Sequence, residues 1–170
     1  MLFGSSLTIE QSLIMFTQAY LESVDDEAFK YIDSGFFYLL DSATLVVRDN
    51  TSIVNLRAQN SAVISASSTS NIHISNNVTF EGNFAFSNVQ PSTITLENSY
   101  NSTIRDAKFI RNTHHNIKIS KSTMVVENCS FSESVDSHIM ALYSSLYVKN
   151  VRMFDSSSIH GGGYGAISAK

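Results

Sequence analysis

A chain of 170 residues is long enough to bury one core, and its net charge of -4 leaves no basic stripe to which a nucleic acid would bind. Charged residues make up only 15% of it, against about 25% in ordinary domains, while Ser, Thr and Asn abound. The single cysteine, Cys129, excludes an internal disulfide framework, and no apolar run is long enough to span a membrane as a helix.

Repetition is the strongest signal in chain order. Near the start, Ser5-Ser6-Leu7-Thr8-Ile9-Glu10-Gln11 leads into Met15-Phe16; near the other end, Ser144-Ser145-Leu146-Tyr147-Val148-Lys149-Asn150 leads into Met153-Phe154. Between them the phrase recurs as two apolar residues separated by one, a polar residue two further on, and a large apolar residue three to five beyond that. The copies are Leu45, Val47, Asp49, Ile53; Ile72, Ile74, Asn76, Phe80; Met124, Val126, Asn128, Phe131; and Leu146, Val148, Asn150, Phe154. A further copy, Ile94, Leu96, Asn98, precedes Ile104, Asp106, Phe109, so residues 94 to 103 read as an extended corner or a partial extra strand. Ile104, Val126 and Val148 lie 22 apart, as do Phe109 and Phe131, and Ile72 and Ile94 show the same interval.

A shorter apolar phrase falls between the copies: Val63-Ile64-Ser65, Phe84-Ala85-Phe86-Ser87, Ile117-Lys118-Ile119-Ser120, Ile139-Met140-Ala141 and Gly165-Ala166-Ile167-Ser168. Period-two alternation with Ser, Asn and Gly punctuation signals short strands, and strands this short cover a core only by stacking on their own copies. A propeller blade needs about 40 to 45 residues, whereas about 22 suit one three-sided coil. The expected fold is therefore all-β: a right-handed parallel β-helix, or β-solenoid, of about six coils, forming one domain over residues 1–170.

In such a stack Asn76, Asn98, Asn128 and Asn150 form a hydrogen-bonded ladder at a corner, with Gln11 and Asp49 as imperfect rungs, because Asn tolerates a left-handed backbone. Phe16, Phe80, Phe109, Phe131 and Phe154 read as one aromatic column inside the coil. Cys129 reads as a small core or ladder residue. Residues 17–34 break the rhythm; Leu21, Val24, Ala28, Tyr31 and Ile32 have helical spacing, so a short amphipathic helix or irregular insertion is expected there, and Asp25-Asp26-Glu27 reads as a solvated turn ahead of a calcium site.

Phe80-Glu81-Gly82-Asn83 and Phe109-Ile110-Arg111-Asn112 resemble the FxxN half, and Gly163-Tyr164-Gly165-Ala166-Ile167 the GGAI half, of the repeat in chlamydial polymorphic outer membrane proteins and in large surface proteins of some protists. Ser34-Gly35-Phe36-Phe37-Tyr38-Leu39-Leu40-Asp41-Ser42 is similar in looser form, while Phe131-Ser132-Glu133-Ser134 and Phe154-Asp155-Ser156-Ser157 carry Ser in place of Asn. The resemblance implies a passenger-like surface stalk that binds or displays and has no catalytic residues.

The expected function is thus that of a non-enzymatic structural repeat protein of a cell surface or extracellular assembly: a stalk, fibre subunit or adhesin. Its expected partners are its own kind or neighbouring coils at the solenoid ends, and glycans; no cofactor and no metal is expected. The rhythm starts by Ser5 and runs to the last residues without a capping helix, which reads as a segment of a longer solenoid with open edges. Residues 1–16 lack the basic start and continuous apolar run of a signal peptide. Four N-glycosylation sequons stand at Asn50, Asn77, Asn101 and Asn128, spaced 27, 24 and 27, an arrangement that would align glycans in one stripe.

Two alternatives compete. A polysaccharide-active lyase or hydrolase needs a carboxylate pair, or acidic ligands beside a basic group. Arg105 with Asp106, and Arg111 with His114 and His115, are the candidates, with His114-His115 expected in a solvent-facing corner and His160 before a corner-forming Gly161-Gly162-Gly163. The other alternative is an intracellular scaffold docked on a large assembly, for which unmodified sequons and a reduced Cys129 would be the signature.

Overall fold

A computed structural model describes residues 1–15, 36–58, 60–85, 91–112, 114–156 and 167–169. Every strand pairing in it is parallel, and the strands fall into three long sheets that alternate along the chain. Sheet A stacks β1 (Leu2–Phe3), β4 (Phe37–Leu40), β8 (Ser61–Ala66), β12 (Ser92–Glu97), β15 (His115–Ser120), β18 (Ile139–Leu142) and β21 (Ile167–Ala169). Sheet B stacks β2 (Ser6–Glu10), β5 (Thr44–Arg48), β9 (Asn71–Ser75), β13 (Ser102–Arg105), β16 (Thr123–Glu127) and β19 (Ser145–Lys149). Sheet C stacks β3 (Leu13–Met15), β6 (Ser52–Val54), β10 (Val78–Glu81), β14 (Ala107–Ile110), β17 (Ser130–Ser134) and β20 (Arg152–Ser156). One strand from each sheet makes a coil, giving six coils and the first strand of a seventh. No helix occurs among the described residues. The expected insertion at 17–34, the triplet Asp25-Asp26-Glu27, Phe16, His160 and the 161–166 glycine segment lie outside them.

Alternate residues of each strand point inward, and equivalent residues stack into columns. Ile64, Ile94, Ile117 and Ile139 make an aliphatic column along sheet A, and Val47, Ile74, Ile104 and Val126 one along sheet B, all fully buried or nearly so. On sheet C the column runs Ile14, Ile53, Phe80, Phe109, Phe131, Met153. Its three phenylalanines stack face to face, with centroids 4.7 Å and 4.8 Å apart, which is the strand spacing. Phe154 does not join them. It sits one residue past the inward position, and since a shift of one residue turns a strand side chain to the other face, it is 52% exposed while Met153 takes the core site.

The coils are also less uniform than a 22-residue period. Register steps of 22 hold for Ile104, Val126 and Val148, but Leu7 to Leu45 spans 38 residues, Leu45 to Ile72 spans 27 and Ile74 to Ile104 spans 30. From Leu45 to Ile104 the extra length goes into corners, and into the short pair β7 (Arg57–Ala58) and β11 (Phe84–Ala85), which form a separate two-stranded sheet. Phe84-Ala85 is therefore no counterpart of Ile117-Lys118-Ile119. That place belongs to residues 92–97, a full strand of sheet A, and Ile94 aligns with Ile64 and Ile117 rather than with Ile72.

Each described corner turns on a left-handed residue at an equivalent place from coil to coil. After sheet A these are Gly4, Asp41, Ser68, Asn98, Lys121 and Tyr143; after sheet B, Gln11, Asp49, Asn76, Asp106, Asn128 and Asn150; after sheet C, Asn55, Gly82 and Arg111, with Glu133 and Asp155 at the equivalent place one residue before the ends of β17 and β20. All have φ between 47° and 62°. Gly, Asn and Asp suit this conformation best, and side chains such as Lys121 and Tyr143 adopt it at a cost of about 1–2 kcal/mol that only the surrounding stack offsets. Gly82 is needed for space as well, because a Cβ there would lie 2.5 Å from Asn55 Oδ1 of the coil before.

Candidate functional site

The B-to-C corner holds an exposed amide ladder. Asn76 Nδ2 donates to Asp49 Oδ1 (2.9 Å), Asn128 Nδ2 to Asp106 Oδ1 (3.1 Å) and Asn150 Nδ2 to Asn128 Oδ1 (3.2 Å). Three of the four expected rungs are here, and Asp106 fills the place expected for Asn98. Asn98 turns the A-to-B corner instead, because the same apolar-x-apolar-x-Asn phrase ends strands of both sheets. Among the sequons, Asn77 Nδ2 donates to Asn50 Oδ1 at 2.9 Å, so these two stack beside the ladder that contains Asn128, whereas Asn101 lies next to β13 on the far side of sheet B. Glycans on all four would not form a single stripe.

Where the B-to-C corner shortens, a groove opens. Asp49-Asn50 and Asn76-Asn77 each spend two left-handed residues on the turn, whereas Asp106, Asn128 and Asn150 spend one. The recess of about 740 Å³ is lined by Asn77, Asp106, Lys108, Asn128, Ser130, Asn150 and Arg152, with Ala107, Cys129 and Val151 as its floor. Lys108 and Arg152 hold no ion pair among the described residues. Arg105 does not act with Asp106; it pairs with Glu127 at 2.9 Å. That pair belongs to an outward column Glu10, Arg48, Ser75, Arg105, Glu127, Lys149, in which directly adjacent charges are opposite in sign and Ser75 separates the two arginines; Glu10 meets Arg48 at 2.9 Å. Cys129 lies under the ladder, 2% exposed, its thiol donating to the Glu127 carbonyl at 3.1 Å, and burial pushes its pKa up to about 11.

The third polar assembly is interior. The Asn residues of the FxxN motifs, Asn83 and Asn112, are buried and follow the C-to-A corner. Asn83 Oδ1 accepts from the Leu56 amide (3.0 Å), and its Nδ2 donates to Ile53 O (3.1 Å) and Asn112 Oδ1 (2.9 Å). Asn112 Nδ2 donates to Phe80 O and to Asn116 Oδ1, each at 3.0 Å. Asn116 Nδ2 then meets His138 Nδ1 at 3.0 Å, and His138 Nε2 meets Phe154 O at 3.0 Å. This chain of four side chains is anchored on backbone groups at both ends, and buried polar atoms so satisfied specify one arrangement. Sequence reasoning had the motif but not its inward role; the signal was two Asn residues placed three after a core Phe.

His114 and His115 depart from expectation. His115 is 3% exposed and opens β15, its Nδ1 at 2.9 Å from Ser137 Oγ and 3.1 Å from Ser137 O. His114 Nδ1 stands 3.0 Å from Asp136 Oδ2. Arg111 turns away from both and pairs with Glu81. Residues 114, 115 and 116 thus face 136, 137 and 138 in register. Burial lowers the pKa of His138, and that of His115 against an opposing hydrogen bond to Ser137 and the charge of Asp136; burial also lowers Lys118 nearby. No cluster of three or more metal-ligating side chains occurs among the described residues.

A family model describing right-handed β-helix regions matches residues 4–169. No curated protein matches the chain, and no solved structure does.

Proposed function

The chain belongs to the right-handed β-helix family, and from that premise we propose that it is a non-enzymatic structural solenoid of a cell-surface or extracellular assembly. The observation that carries this reading is that its polar side chains are spent on copies of themselves. Asn76, Asn128 and Asn150 bond within the ladder, Asn83 and Asn112 within the core, and Glu10, Glu81 and Glu127 to Arg48, Arg111 and Arg105 of adjacent coils. Side chains arranged this way stiffen a rod. The FxxN motifs at Phe80 and Phe109 support a stalk or passenger of the polymorphic outer membrane protein kind.

Self-association at the solenoid ends fits the same reading. Stacking a second copy would bring Glu10 over Lys149 and Gln11 over Asn150, adding one more pair of opposite charges and one more rung to the amide ladder, with either β1 or β21 as the sheet A strand at the joint. Light scattering and negative-stain microscopy of the native protein, with intact mass and glycan mapping at Asn50, Asn77, Asn101 and Asn128, test it. Rods or end-to-end oligomers support the proposal; a monomer at all concentrations together with unmodified sequons favours the intracellular scaffold. The redox state of Cys129 does not separate the two, since a buried thiol with its pKa near 11 stays reduced in either compartment.

The groove supports a second reading. Asp106, Lys108 and Arg152 around a row of amides suit an acidic or neutral polysaccharide. Depolymerisation of any of a panel of pectins, alginates and chitins, abolished by Asp106→Asn, would establish it over the first.

A further inference from the structure

We propose that the joint between the fifth and sixth coils is an acid-sensitive latch, closed by neutral His138 and opened when that imidazole takes a second proton. The argument rests on the direction of the buried chain. The Leu56 amide, a donor only, fixes Asn83 Oδ1 toward it; that turns Asn83 Nδ2 toward Asn112 Oδ1, Asn112 Nδ2 toward Asn116 Oδ1, and Asn116 Nδ2 toward His138. His138 Nδ1 can then only accept, and Nε2, facing the Phe154 carbonyl, can only donate. One tautomer of the neutral ring satisfies both. A proton on Nδ1 would point at the Asn116 amide hydrogens, and Asn116 cannot turn over without turning Asn112 and Asn83, whose ends are tied to backbone.

Among the described residues, the contacts of His138 itself carry no charge to offset a second proton: Asn116, the Phe154 carbonyl and the ring of Phe131 at 5.7 Å. Among the described residues, the charged and titratable groups at the joint are His114, His115 and Lys118 of the fifth coil and Asp136 of the sixth, with Glu133 and Asp155 exposed on the strands whose Phe131 and Phe154 touch His138. His114 Nδ1 lies 3.0 Å from Asp136 Oδ2, a carboxylate contact across the same joint. It is more exposed than His138, so screening weakens it.

With its folded pKa below the unfolded value, His138 leaves stability undiminished above that unfolded value and withdraws it as pH falls below, down to the folded pKa. The test is amide exchange followed by mass spectrometry at about pH 7.5 and about pH 5, corrected for intrinsic rates. Protection of residues 139–142 and 145–149 should fall by up to about tenfold per pH unit across the titration, while residues 45–47 and 72–74 change little. With His115→Gln as background, since His115 is buried at the same joint, His138→Gln, uncharged at every pH, should lose the step, and His73→Gln, three coils away, should keep it. Asn116→Asp supplies a carboxylate that accepts from a protonated Nδ1, and should reverse the sign. A pH-independent sixth coil, loss of protection in all coils together, or an unchanged sign in Asn116→Asp overturns the proposal.

Discussion

Replacing Asn112 by Ala removes a side chain that is 1% exposed and makes four hydrogen bonds. Asn83 loses two of its bonds, from its amide and its Nδ2, the Phe80 carbonyl loses one donor, and Asn116 Oδ1 loses the donor that orients it toward His138. A buried polar group deprived of its partner costs about 1–3 kcal/mol. Asn83 Nδ2 keeps Ile53 O, so three groups bear the loss and the expected cost is about 3–5 kcal/mol, a large share of the 5–15 kcal/mol typical of a domain. The comparison is Asn128→Gly, which keeps the left-handed corner at φ 53° unstrained while breaking two bonds of the same kind in an exposed ladder where water substitutes, and should cost about 1 kcal/mol or less. Urea unfolding of both variants, with unchanged m, measures the difference. Equal costs for the two, within about 0.5 kcal/mol, would refute the claim that the inner asparagines specify the stack.

Phe109→Ala should cost about 3–5 kcal/mol in the same assay, because its ring is enclosed between Phe80 and Phe131, whereas Phe154→Ala should stay within about 0.5 kcal/mol. Tyr143→Asn, at φ 50° and 80% exposed, should raise stability by about 0.5–1 kcal/mol, read as a higher urea midpoint; a loss would show that the tyrosine makes a contact outweighing its backbone strain. Cys129 should resist a water-soluble thiol reagent at about pH 8 and react fully once the chain is unfolded; stoichiometric labelling of the native protein would contradict its burial.

How far the sequence could be read depended on which restraint each residue answers to. Phe80, Phe109 and Phe131 were legible as a column because the core admits one size of side chain at one position, and the coils that bear the last two differ by the plain 22-residue step. Asn98 and Phe154 were misplaced for opposite reasons. Sheets A and B both end in an apolar-x-apolar-x-polar phrase before a left-handed residue, so Leu96-Glu97-Asn98 and Val126-Glu127-Asn128 look alike although they belong to different corners. Phe154 matched the phrase only because the allowed gap to the large apolar residue was loose, and period-two alternation makes a gap wrong by one wholly wrong in facing. The site itself was least legible. His114 and His115 follow a corner and are polar, which reads as solvent; only the register that sets 114–116 against 136–138 reveals that they close onto the next coil. Corners of variable length hide that register, since the coils from Leu7 to Ile104 obey no common period.

The register of sheet C carries the whole account, and spin labels on its outward face test it directly. With Cys129→Ser as background, labels at Ser52 and Ser130 sit three strand spacings apart, and labels at Ser52 and Arg152 sit four apart, so the two mean distances should differ by one spacing, about 4.8 Å, whatever the label arms add. Equal distances, or a difference of two spacings or more, would contradict the stacking of Ile53, Phe80, Phe109, Phe131 and Met153 in one column.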